Sequence, residues 1–234
     1  MNSKKKKQDV LEFLLNNREK SSAQLLQDLF VIYFSKGKKA GYFVEFGATD
    51  GVSLSNTYRL EKDLDWQGIL AEPSAVWHER LRGNRSCHID TRCVYSTSNE
   101  RVHFRNTSES PELSGIEKSL QPDHNMELRK KFSTTEVSTV SLTDLLGTYN
   151  APNLIDYLSV DTEGSELEIL SAFDFSAYRI ALLTVEHNFQ NDQRDKLKAL
   201  LEKNGFIRVF ESISRWDDWY LSATAIGDAY FYRS

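Results

Sequence analysis

The sequence predicts an α/β fold in which a mostly parallel, doubly wound sheet is covered by helices on both faces. Two observations lead to this prediction. Short apolar runs alternate with segments of helical periodicity along most of the 234 residues, and such alternation builds a parallel sheet with helices on both sides. Several of the apolar runs also end in an acidic residue, which is typical of a ligand site at the carboxyl ends of the strands.

The predicted elements follow this alternation in chain order. The strands are expected at 42–46, 68–72, 86–90, 154–160, 179–186, 206–210 and 226–232. The helices between them are expected near 54–63, 74–83, 141–149, 165–172 and 191–204. Asn204 and Gly205 would close the last of these helices.

Residues 1–38 are predicted to form a helical preamble with a basic tail, ahead of one domain at 39–234. Apolar residues recur at helical spacing between 8 and 36. Ser21 or Ser22 would cap a helix there and Gly37 would end it. The lysines at 4–7 lack the apolar stretch of a signal peptide, so a solvated tail is expected.

Residues 97–135 interrupt the alternation of strands and helices. They are polar, contain Pro111 and Pro122, and carry a short strand-like piece at 101–105. A stretch of this length without periodicity is either a functional cover or partly disordered. We interpret it as a cover over the ligand edge of the sheet.

The composition limits the classes of partner that are expected for this chain. The formal net charge is −5, so no nucleic-acid partner is expected. No apolar run reaches the length of a membrane span, so none is predicted. Cys87 and Cys93 lack metal-ligand spacing and are expected to be free thiols in a reducing cytoplasm.

The segment 42–51 predicts the nature of the ligand. Glu45 and Asp50 flank a turn that contains Gly47 and Gly51. Phosphate sites use backbone N–H groups away from carboxylates, so these acids would repel a pyrophosphate. S-adenosylmethionine (SAM) fits better because it carries an ammonium, a sulfonium and a ribose diol.

The second predicted strand ends at Glu72, 25 residues after Gly47. In dinucleotide-binding folds, an acid at this position accepts hydrogen bonds from ribose hydroxyls. The alternative is that Glu72 caps a helix beginning near Pro73.

A third acidic strand end is Asp161, which follows the apolar run 154–160 and is expected to face the ligand. Glu163 and Glu166 come next, and they would alternatively complement the dipole of the following helix. Ser165 and Glu168 match a capping box at the start of that helix.

A fourth strand end carries Glu186, His187 and Asn188. His187 could take a proton from a hydroxyl, although a lone histidine is more often structural. Alternatively, Asp161, Glu186 and His187 could hold a divalent cation such as Mg²⁺ or Mn²⁺ that binds and acidifies substrate hydroxyls.

Together, these motifs make the chain similar to the FkbM-type SAM-dependent methyltransferases from about residue 23 to 222. The blocks that carry the resemblance are Gln27-Asp-Leu-Phe30, Phe43-Val-Glu-Phe-Gly-Ala-Thr-Asp-Gly51, Ser55-Asn-Thr57, Trp66-Gln-Gly-Ile-Leu-Ala-Glu-Pro73, Asp90-Thr-Arg-Cys-Val94, Ile155-Asp-Tyr-Leu-Ser-Val-Asp-Thr-Glu-Gly-Ser-Glu166 and Val185-Glu-His-Asn188. The resemblance implies a class I methyltransferase (Rossmann-like) fold with seven strands, the last antiparallel. It also implies SAM as methyl donor and a hydroxyl acceptor.

The resemblance also implies roles for individual residues. The expected cofactor-binding set is Glu45, Gly47, Ala48, Asp50, Gly51, Asn56, Glu72, Pro73, Asp90, Thr91 and Asp161. Within it, Asp90 and Thr91 would border the adenine, and Asp161 would lie near the sulfonium and the acceptor. The expected acceptor-binding set is Glu163, Glu186, Asn188, Arg129 and Trp216, with His124 as a second candidate base. Arg129 and His124 would otherwise be loop residues in solvent.

The aromatic residues near the C-terminus leave two interpretations open. Trp216, Trp219 and Tyr220, with Asp217 and Asp218, could stack on a sugar ring and bind its hydroxyls. They could equally pack at the rim of the domain.

The expected function is O-methylation of a small molecule, with a sugar or nucleotide-linked sugar in capsule or lipopolysaccharide biosynthesis as the preferred acceptor. A nitrogen acceptor, a polyketide-like acceptor and a non-catalytic SAM-binding subunit stay open, as does a homo-oligomeric state. A nicotinamide-dependent oxidoreductase is disfavoured because the first turn lacks the Gly-x-Gly-x-x-Gly spacing.

Overall fold

The computed structural model describes residues 3–120 and 125–223. The strands in chain order are β1 (Tyr42–Phe46), β2 (Gln67–Ala71), β3 (His88–Asp90), β4 (Cys93–Tyr95), β5 (Arg101–Thr107), β6 (Gly115–Ile116), β7 (Phe132–Ser141), β8 (Leu154–Val160), β9 (Arg179–Glu186), β10 (Phe206–Val209) and β11 (Asp217–Ser222). The α-helices are α1 (Ser3–Asn17), α2 (Gln27–Phe34), α3 (Tyr58–Leu64), α4 (His78–Asn84), α5 (Leu142–Thr148), α6 (Glu166–Ala172) and α7 (Asn191–Lys203).

The central sheet has seven strands in the order β10-β11-β9-β8-β1-β2-β3. The pairs β1–β2, β2–β3, β1–β8 and β8–β9 are parallel, whereas β11 is antiparallel to both β9 and β10. The predicted fold class is therefore confirmed, including the antiparallel last strand.

The antiparallel strand is Asp217–Ser222, and the strand predicted at 226–232 lies outside the described residues. The hydrophobic pattern did not predict this strand, because it begins with two adjacent acids, Asp217 and Asp218. Asp218 is nevertheless buried, because Arg194 and Arg208 donate hydrogen bonds to its carboxylate at 2.7 and 3.1 Å.

Helices cover both faces of the central sheet because neighbouring strand residues point to opposite sides. Phe43 and Tyr157 pack with α1 to α4, whereas Val44 and Leu158 pack with α5 to α7. Strands β1 and β8 are therefore buried on both faces.

The predicted cover is a second, four-stranded sheet in the order β4-β7-β5-β6. It spans residues 93–141 and thus begins and ends beyond the predicted limits of 97 and 135. It packs on the turn between β8 and α6, where a Cβ on Gly164 would lie only 2.4 Å from the carbonyl oxygen of Ser119. The ligand edge of the central sheet is therefore covered.

The N-terminal region departs from prediction in two details. Helix α1 already begins at Ser3, so residues 4–7 belong to a helix. Neither Ser21 nor Ser22 caps α2, whose N-cap position is Leu26. Instead, the Ser21 hydroxyl and the Ser22 N–H donate to the buried carboxylate of Asp28, because burial leaves that acid in need of donors. Gly37 follows α2 with φ +65° and donates its N–H to the Ile32 carbonyl at 2.9 Å.

Across residues 3–120 and 125–223, no helix has the length and apolar character needed to cross a bilayer. Cys87 and Cys93 are both free thiols, as predicted.

Candidate functional site

A cavity of about 310 Å³ lies between the carboxyl ends of β1, β2, β8 and β9 and the covering sheet. This volume is within the usual range for small-molecule sites. The structure brings eleven of the predicted site residues to its wall: Glu45, Gly47, Ala48, Asn56, Glu72, Pro73, Asp161, Glu163, Glu186, Asn188 and Trp216. The sequence analysis thus correctly identified most residues on the side of the cavity that the central sheet forms.

Other wall residues were not predicted. Gln24 comes from the N-terminal region, and Phe104, Leu113, Ser114 and Leu128 come from the covering sheet and its loops. No periodicity or motif marks the covering residues, so the sequence carried no signal for them. Gln24 comes shortly before the family-like block Gln27-Asp-Leu-Phe30, and this proximity was the one sequence feature that could have indicated its role.

The first turn of the site joins three strand ends. Gly47 has φ +69°, and a Cβ there would lie 2.3 Å from the carbonyl oxygen of Asp161. The glycine is therefore required by the neighbouring strand end rather than by a ligand. The N–H groups of Gly47 and Ala48 both point to the carbonyl of Ala71.

Glu45 holds the loop that presents Asn56. Its buried carboxylate accepts hydrogen bonds from the N–H of Asn56 at 2.7 Å, and from the hydroxyls of Ser55 and Thr57. Burial raises the pKa of Glu45, and the buried guanidinium of Arg85, 3.9 Å away, opposes that rise. Glu45 therefore positions this part of the cavity wall, and most of its hydrogen-bond acceptor sites are already occupied by the protein.

Asp50 and Gly51 do not reach the cavity. Asp50 accepts hydrogen bonds from the N–H groups of Val52 and Ser53, at 2.9 and 2.7 Å, and so caps its own loop. The Gly51 carbonyl accepts a hydrogen bond from Arg85 at 3.0 Å. The predicted direct contact of Asp50 with a ligand is thus replaced by a role in loop shape.

Glu72 lies at the end of β2 as predicted. Its two oxygens accept hydrogen bonds from the N–H groups of Thr49 at 2.9 Å and Ser74 at 2.8 Å. Burial raises its pKa to about 7 despite these bonds. Because helix α4 begins only at His78, the alternative that Glu72 caps a helix at Pro73 is wrong.

Three acids meet at the ends of β8 and β9. One carboxylate oxygen from each of Asp161, Glu163 and Glu186 lies within 4.8 Å of the others. Burial, followed by the charge of Glu166, raises the pKa of Asp161 to about 7. Burial and the charge of Asp161 raise the pKa of Glu186 as well. A hydrogen bond joins the side chains of Asp161 and Glu186, which form a pair of acids at the cavity wall.

This acid group differs from the predicted cation site. Its members are Asp161, Glu163 and Glu186, and His187 is not among them. Ligation of a cation requires deprotonated carboxylates, and burial, which raises the pKa of Asp161 and of Glu186, opposes that deprotonation.

The turn after β8 is fixed from both sides. The Glu166 carboxylate accepts hydrogen bonds from the N–H groups of Thr162 at 2.8 Å and Gly164 at 3.0 Å. The predicted capping box is wrong, because Ser165 makes no side-chain cap and Glu168 does not reach back.

Arg129, in a short 3-10 turn of the cover, donates hydrogen bonds to the Glu163 carboxylate and to the Leu113 carbonyl. Arg129 thus anchors the cover on the turn instead of lining the cavity.

His187 lies behind the acid group. Its Nδ1 accepts a hydrogen bond from the Phe189 N–H at 3.1 Å, and its Nε2 is 3.9 Å from the carboxylate of Asp218. Burial lowers its pKa. His187 follows the end of β9 and is not among the described residues that line the main cavity, whereas Glu186 and Asn188 are.

Three further predicted residues are also placed elsewhere or not described. Asp90 forms an ion pair with Arg92 at 2.6 Å, and Thr91 is exposed, so neither lines the cavity. His124 lies outside the described residues. Their roles stay predictions.

The aromatic cluster of the C-terminal region divides into two groups. Trp219 and Tyr220 are fully buried in β11, so the packing interpretation holds for them and sugar stacking is wrong. Asp217 is also buried and accepts a hydrogen bond from the Gln27 side chain at 2.7 Å. Trp216 lines the cavity and donates to Gln24 at 3.3 Å.

The cavity wall as a whole is rich in acceptors. Its described lining residues include six acids and no lysine, arginine or histidine; the acids are Glu45, Glu72, Glu112, Asp161, Glu163 and Glu186. The Nδ2 group of Asn56 donates to Ser159, while its buried Oδ1 accepts no hydrogen bond from the described residues. Such a wall suits a ligand that carries positive charge and hydrogen-bond donors.

Comparison with known proteins agrees with this arrangement. The model of the methyltransferase FkbM domain matches residues 45–217. The crystal structure of a methyltransferase FkbM from Methylobacillus flagellatus KT is similar in fold, with a TM-score of 0.50, 12% identity, and coverage of 84% of this chain and 53% of that chain. This chain thus spans about half the length of that protein.

Two further solved structures are more distant. A precorrin-6y C5,15-methyltransferase from Geobacter metallireducens GS-15 has a TM-score of 0.40 and 10% identity, covering 83% of this chain and 85% of that one. A Haemonchus contortus phospholethanolamine N-methyltransferase 2, in complex with phosphomonomethylethanolamine and S-adenosylhomocysteine, has a TM-score of 0.36 and 13% identity, covering 81% of this chain and 40% of that one. No curated protein gave a significant match.

Proposed function

Because the chain belongs to the FkbM methyltransferase family, we propose that it transfers the methyl group of SAM to a hydroxyl of a sugar-containing small molecule. The family membership also confirms the resemblance drawn from the sequence motifs. The observation that carries the proposal is the acceptor-rich cavity at the ends of β1, β2, β8 and β9, whose described lining residues include no basic side chain.

The residues of the wall fit SAM. Each oxygen of Glu72 has accepted one backbone N–H and retains capacity for a ribose hydroxyl. The buried Oδ1 of Asn56 lacks a donor among the described residues, and an ammonium group would supply one. SAM, when bound, supplies an electrophilic methyl carbon on a positively charged sulfur, which the acids of the wall would stabilise.

The Asp161–Glu186 pair is the proposed proton acceptor. As the acceptor oxygen bonds to the methyl carbon, the carbon–sulfur bond breaks with its electron pair left on sulfur, and the hydroxyl proton passes to the pair. A carboxylate whose pKa lies near 7 is matched to this task at neutral pH. Most of the rate increase would come from holding the acceptor oxygen about 3 Å from the methyl carbon.

The experiment has two stages. Calorimetric titration with SAM and S-adenosylhomocysteine measures cofactor binding. Incubation with SAM and a panel of sugars, sugar glycosides and nucleotide-linked sugars, followed by mass spectrometry, then detects the gain of one methyl group and locates it on oxygen or nitrogen.

In the second stage, the Asp161→Asn variant should reduce turnover about hundredfold, because it removes the proton acceptor. Asp195→Asn, in an exposed part of α7, is the matched control and should leave turnover unchanged. Absence of SAM binding, or transfer to nitrogen alone, would contradict the proposal.

A further inference from the structure

We infer that the acceptor is a sugar attached to an apolar group, and not a sugar attached to a nucleoside diphosphate. The inference rests on the proposed function and identifies the substrate class of the same cavity. It is carried by three independent observations: the charge of the wall, the use of its backbone N–H groups, and the apolar side chains at its mouth.

The wall offers a diphosphate no basic side chain among its described lining residues. Proteins bind phosphate with arginine and lysine side chains. The described lining residues of the cavity contain six acids and neither of these residue types. Glu112, on the cover, extends the acidic character to the exposed rim.

The backbone N–H groups at this edge are already used. A phosphate cradle without basic side chains needs free N–H groups at a turn or helix N-terminus. Here the N–H of Thr49 donates to Glu72, that of Asn56 to Glu45, and those of Thr162 and Gly164 to Glu166. The chain thus satisfies these four N–H groups with its own carboxylates, and they are not available to a phosphate.

Apolar side chains stand at the mouth of the cavity beside the polar residues Gln24, Ser53 and Glu112. Leu54 and Leu128 line the cavity although their exposed fractions are 51% and 46%. Phe189, which is 56% exposed, packs edge-to-face on the cavity residue Trp216 with 6.3 Å between ring centroids. Leu54, Leu128 and Phe189 are three of the seven exposed large hydrophobic side chains of the described residues, and each lines the cavity or contacts a residue that does.

Leu54, one of these apolar residues, has an unusual backbone conformation. Leu54 has φ +59°, a conformation that is costly for leucine. A β-bridge between Ala23 and Leu54 joins this segment to the N-terminal region. A strained residue that keeps a large apolar side chain at the entrance favours a contact with an apolar partner over a solvated rim.

Together these features predict the orientation of the acceptor. Its sugar hydroxyls would enter toward Asp161 and Glu186, which accept hydrogen bonds, and its apolar group would lie on Leu54, Leu128 and Trp216. A nucleoside diphosphate in the same orientation would place two negative charges against the acidic wall.

Binding to the protein saturated with S-adenosylhomocysteine tests the inference. Calorimetry would compare three matched series that carry the same set of sugars: free sugars, their 4-nitrophenyl and octyl glycosides, and their uridine diphosphate derivatives. The glycosides should bind about tenfold more tightly than the free sugars, because they bury apolar area at the mouth. The diphosphate derivatives should bind no more tightly than the free sugars.

Variants locate the effect. Leu54→Ala and Leu128→Ala should each weaken glycoside binding about fivefold and leave free-sugar binding unchanged. Val76→Ala, at an exposed residue away from the cavity wall, is the control and should change neither. Glu112→Lys should strengthen binding of the diphosphate derivatives about threefold, since it adds a cation at the rim.

The inference is overturned if the diphosphate derivatives bind more tightly than the glycosides, or if no glycoside outbinds its free sugar. In both cases binding of S-adenosylhomocysteine would persist, and the proposed function would stand. Loss of that cofactor binding in the unmodified protein would instead refute the proposed function.

Discussion

At the scale of single residues, the acids of the site form hydrogen bonds with the backbone of the neighbouring turns. Glu45, Asp50, Glu72 and Glu166 each accept hydrogen bonds from backbone N–H groups of the adjoining turns. Carboxylates that are bonded in this way fix the turns before any ligand arrives. The cavity is therefore preorganised, which lowers the entropic cost of binding.

Glu72→Gln should weaken SAM binding at least about tenfold. One oxygen of the side chain would become an NH₂ group facing the N–H of either Thr49 or Ser74, and two donors cannot satisfy each other. The turn that carries Thr49 would then move. Calorimetry with SAM measures the change, and Glu79→Gln on the exposed side of α4 is the matched control. Equal affinities for the two variants would exclude Glu72 from the cofactor site.

The sequence predicted which strand ends are acidic but not what each acid does. Glu72 and Asp161 were located because apolar strands lead directly to them. His187 was misplaced because its position between Glu186 and Asn188 in the sequence does not bring its imidazole to the wall of the main cavity. The anchoring role of Arg129 joins residues 34 positions apart, a pairing that no local pattern reveals.

At the scale of elements, the turn after β1 depends on the close approach of β8. Gly47 combines a positive φ with a carbonyl oxygen 2.3 Å from where a Cβ would stand. That oxygen belongs to backbone, which cannot move aside without separating the two strands. The glycine therefore sets the spacing between the ends of β1 and β8.

Gly47→Ala should destabilise the fold by about 2 kcal/mol or more, and abolish SAM binding in the fraction that remains folded. Gly83→Ala is the control within helix α4, because a Cβ at Gly83 meets nothing within 4 Å. That variant should stabilise the protein by about 0.5–1 kcal/mol, since alanine favours a helix over glycine. Urea unfolding measures both changes, and an unchanged midpoint for Gly47→Ala would contradict the close approach.

The elements that the sequence predicted well are those buried on both faces. β1, β2, β8 and β9 are mostly apolar because helices cover both of their sides. The cover gave no such pattern, since β7 exposes half of its residues. β11 was missed because its two acids are bonded to Arg194 and Gln27, which are distant in sequence.

At the scale of the whole molecule, the buried acids tie stability to pH. Burial raises the pKa of Glu72 and Asp161 to about 7, and that of Asp217 to about 8. In the unfolded chain these groups ionise near 4. Between these values the folded protein binds more protons than the unfolded chain, so their contribution to stability is full below about pH 4 and is lost as pH rises to about 8.

Asp217→Asn isolates one of these groups. The amide oxygen can still accept the hydrogen bond from Gln27, but it does not titrate. Relative to the unmodified protein, the variant should gain up to about 1.4 kcal/mol of unfolding free energy for each pH unit between about 4 and 8. Urea unfolding at about pH 5 and about pH 7 checks this difference. Parallel pH dependences of the two proteins would show that Asp217 is ionised in the folded state.

The fold and family were readable from the sequence as a whole because several motifs occur in a fixed order. The acceptor was not readable, because part of the cavity wall comes from the cover and from side chains that meet only after folding. The sequence therefore left a sugar and a nucleotide-linked sugar as equal alternatives.

The cover leaves the central sheet after β3 and returns through β7 directly into α5, so one continuous stretch of chain supplies it. Exchange of residues 93–141 between family members should therefore produce chimeras with altered acceptor preference and an intact methyl-donor half. The junction that such transplants must preserve is the contact of Arg129 with Glu163.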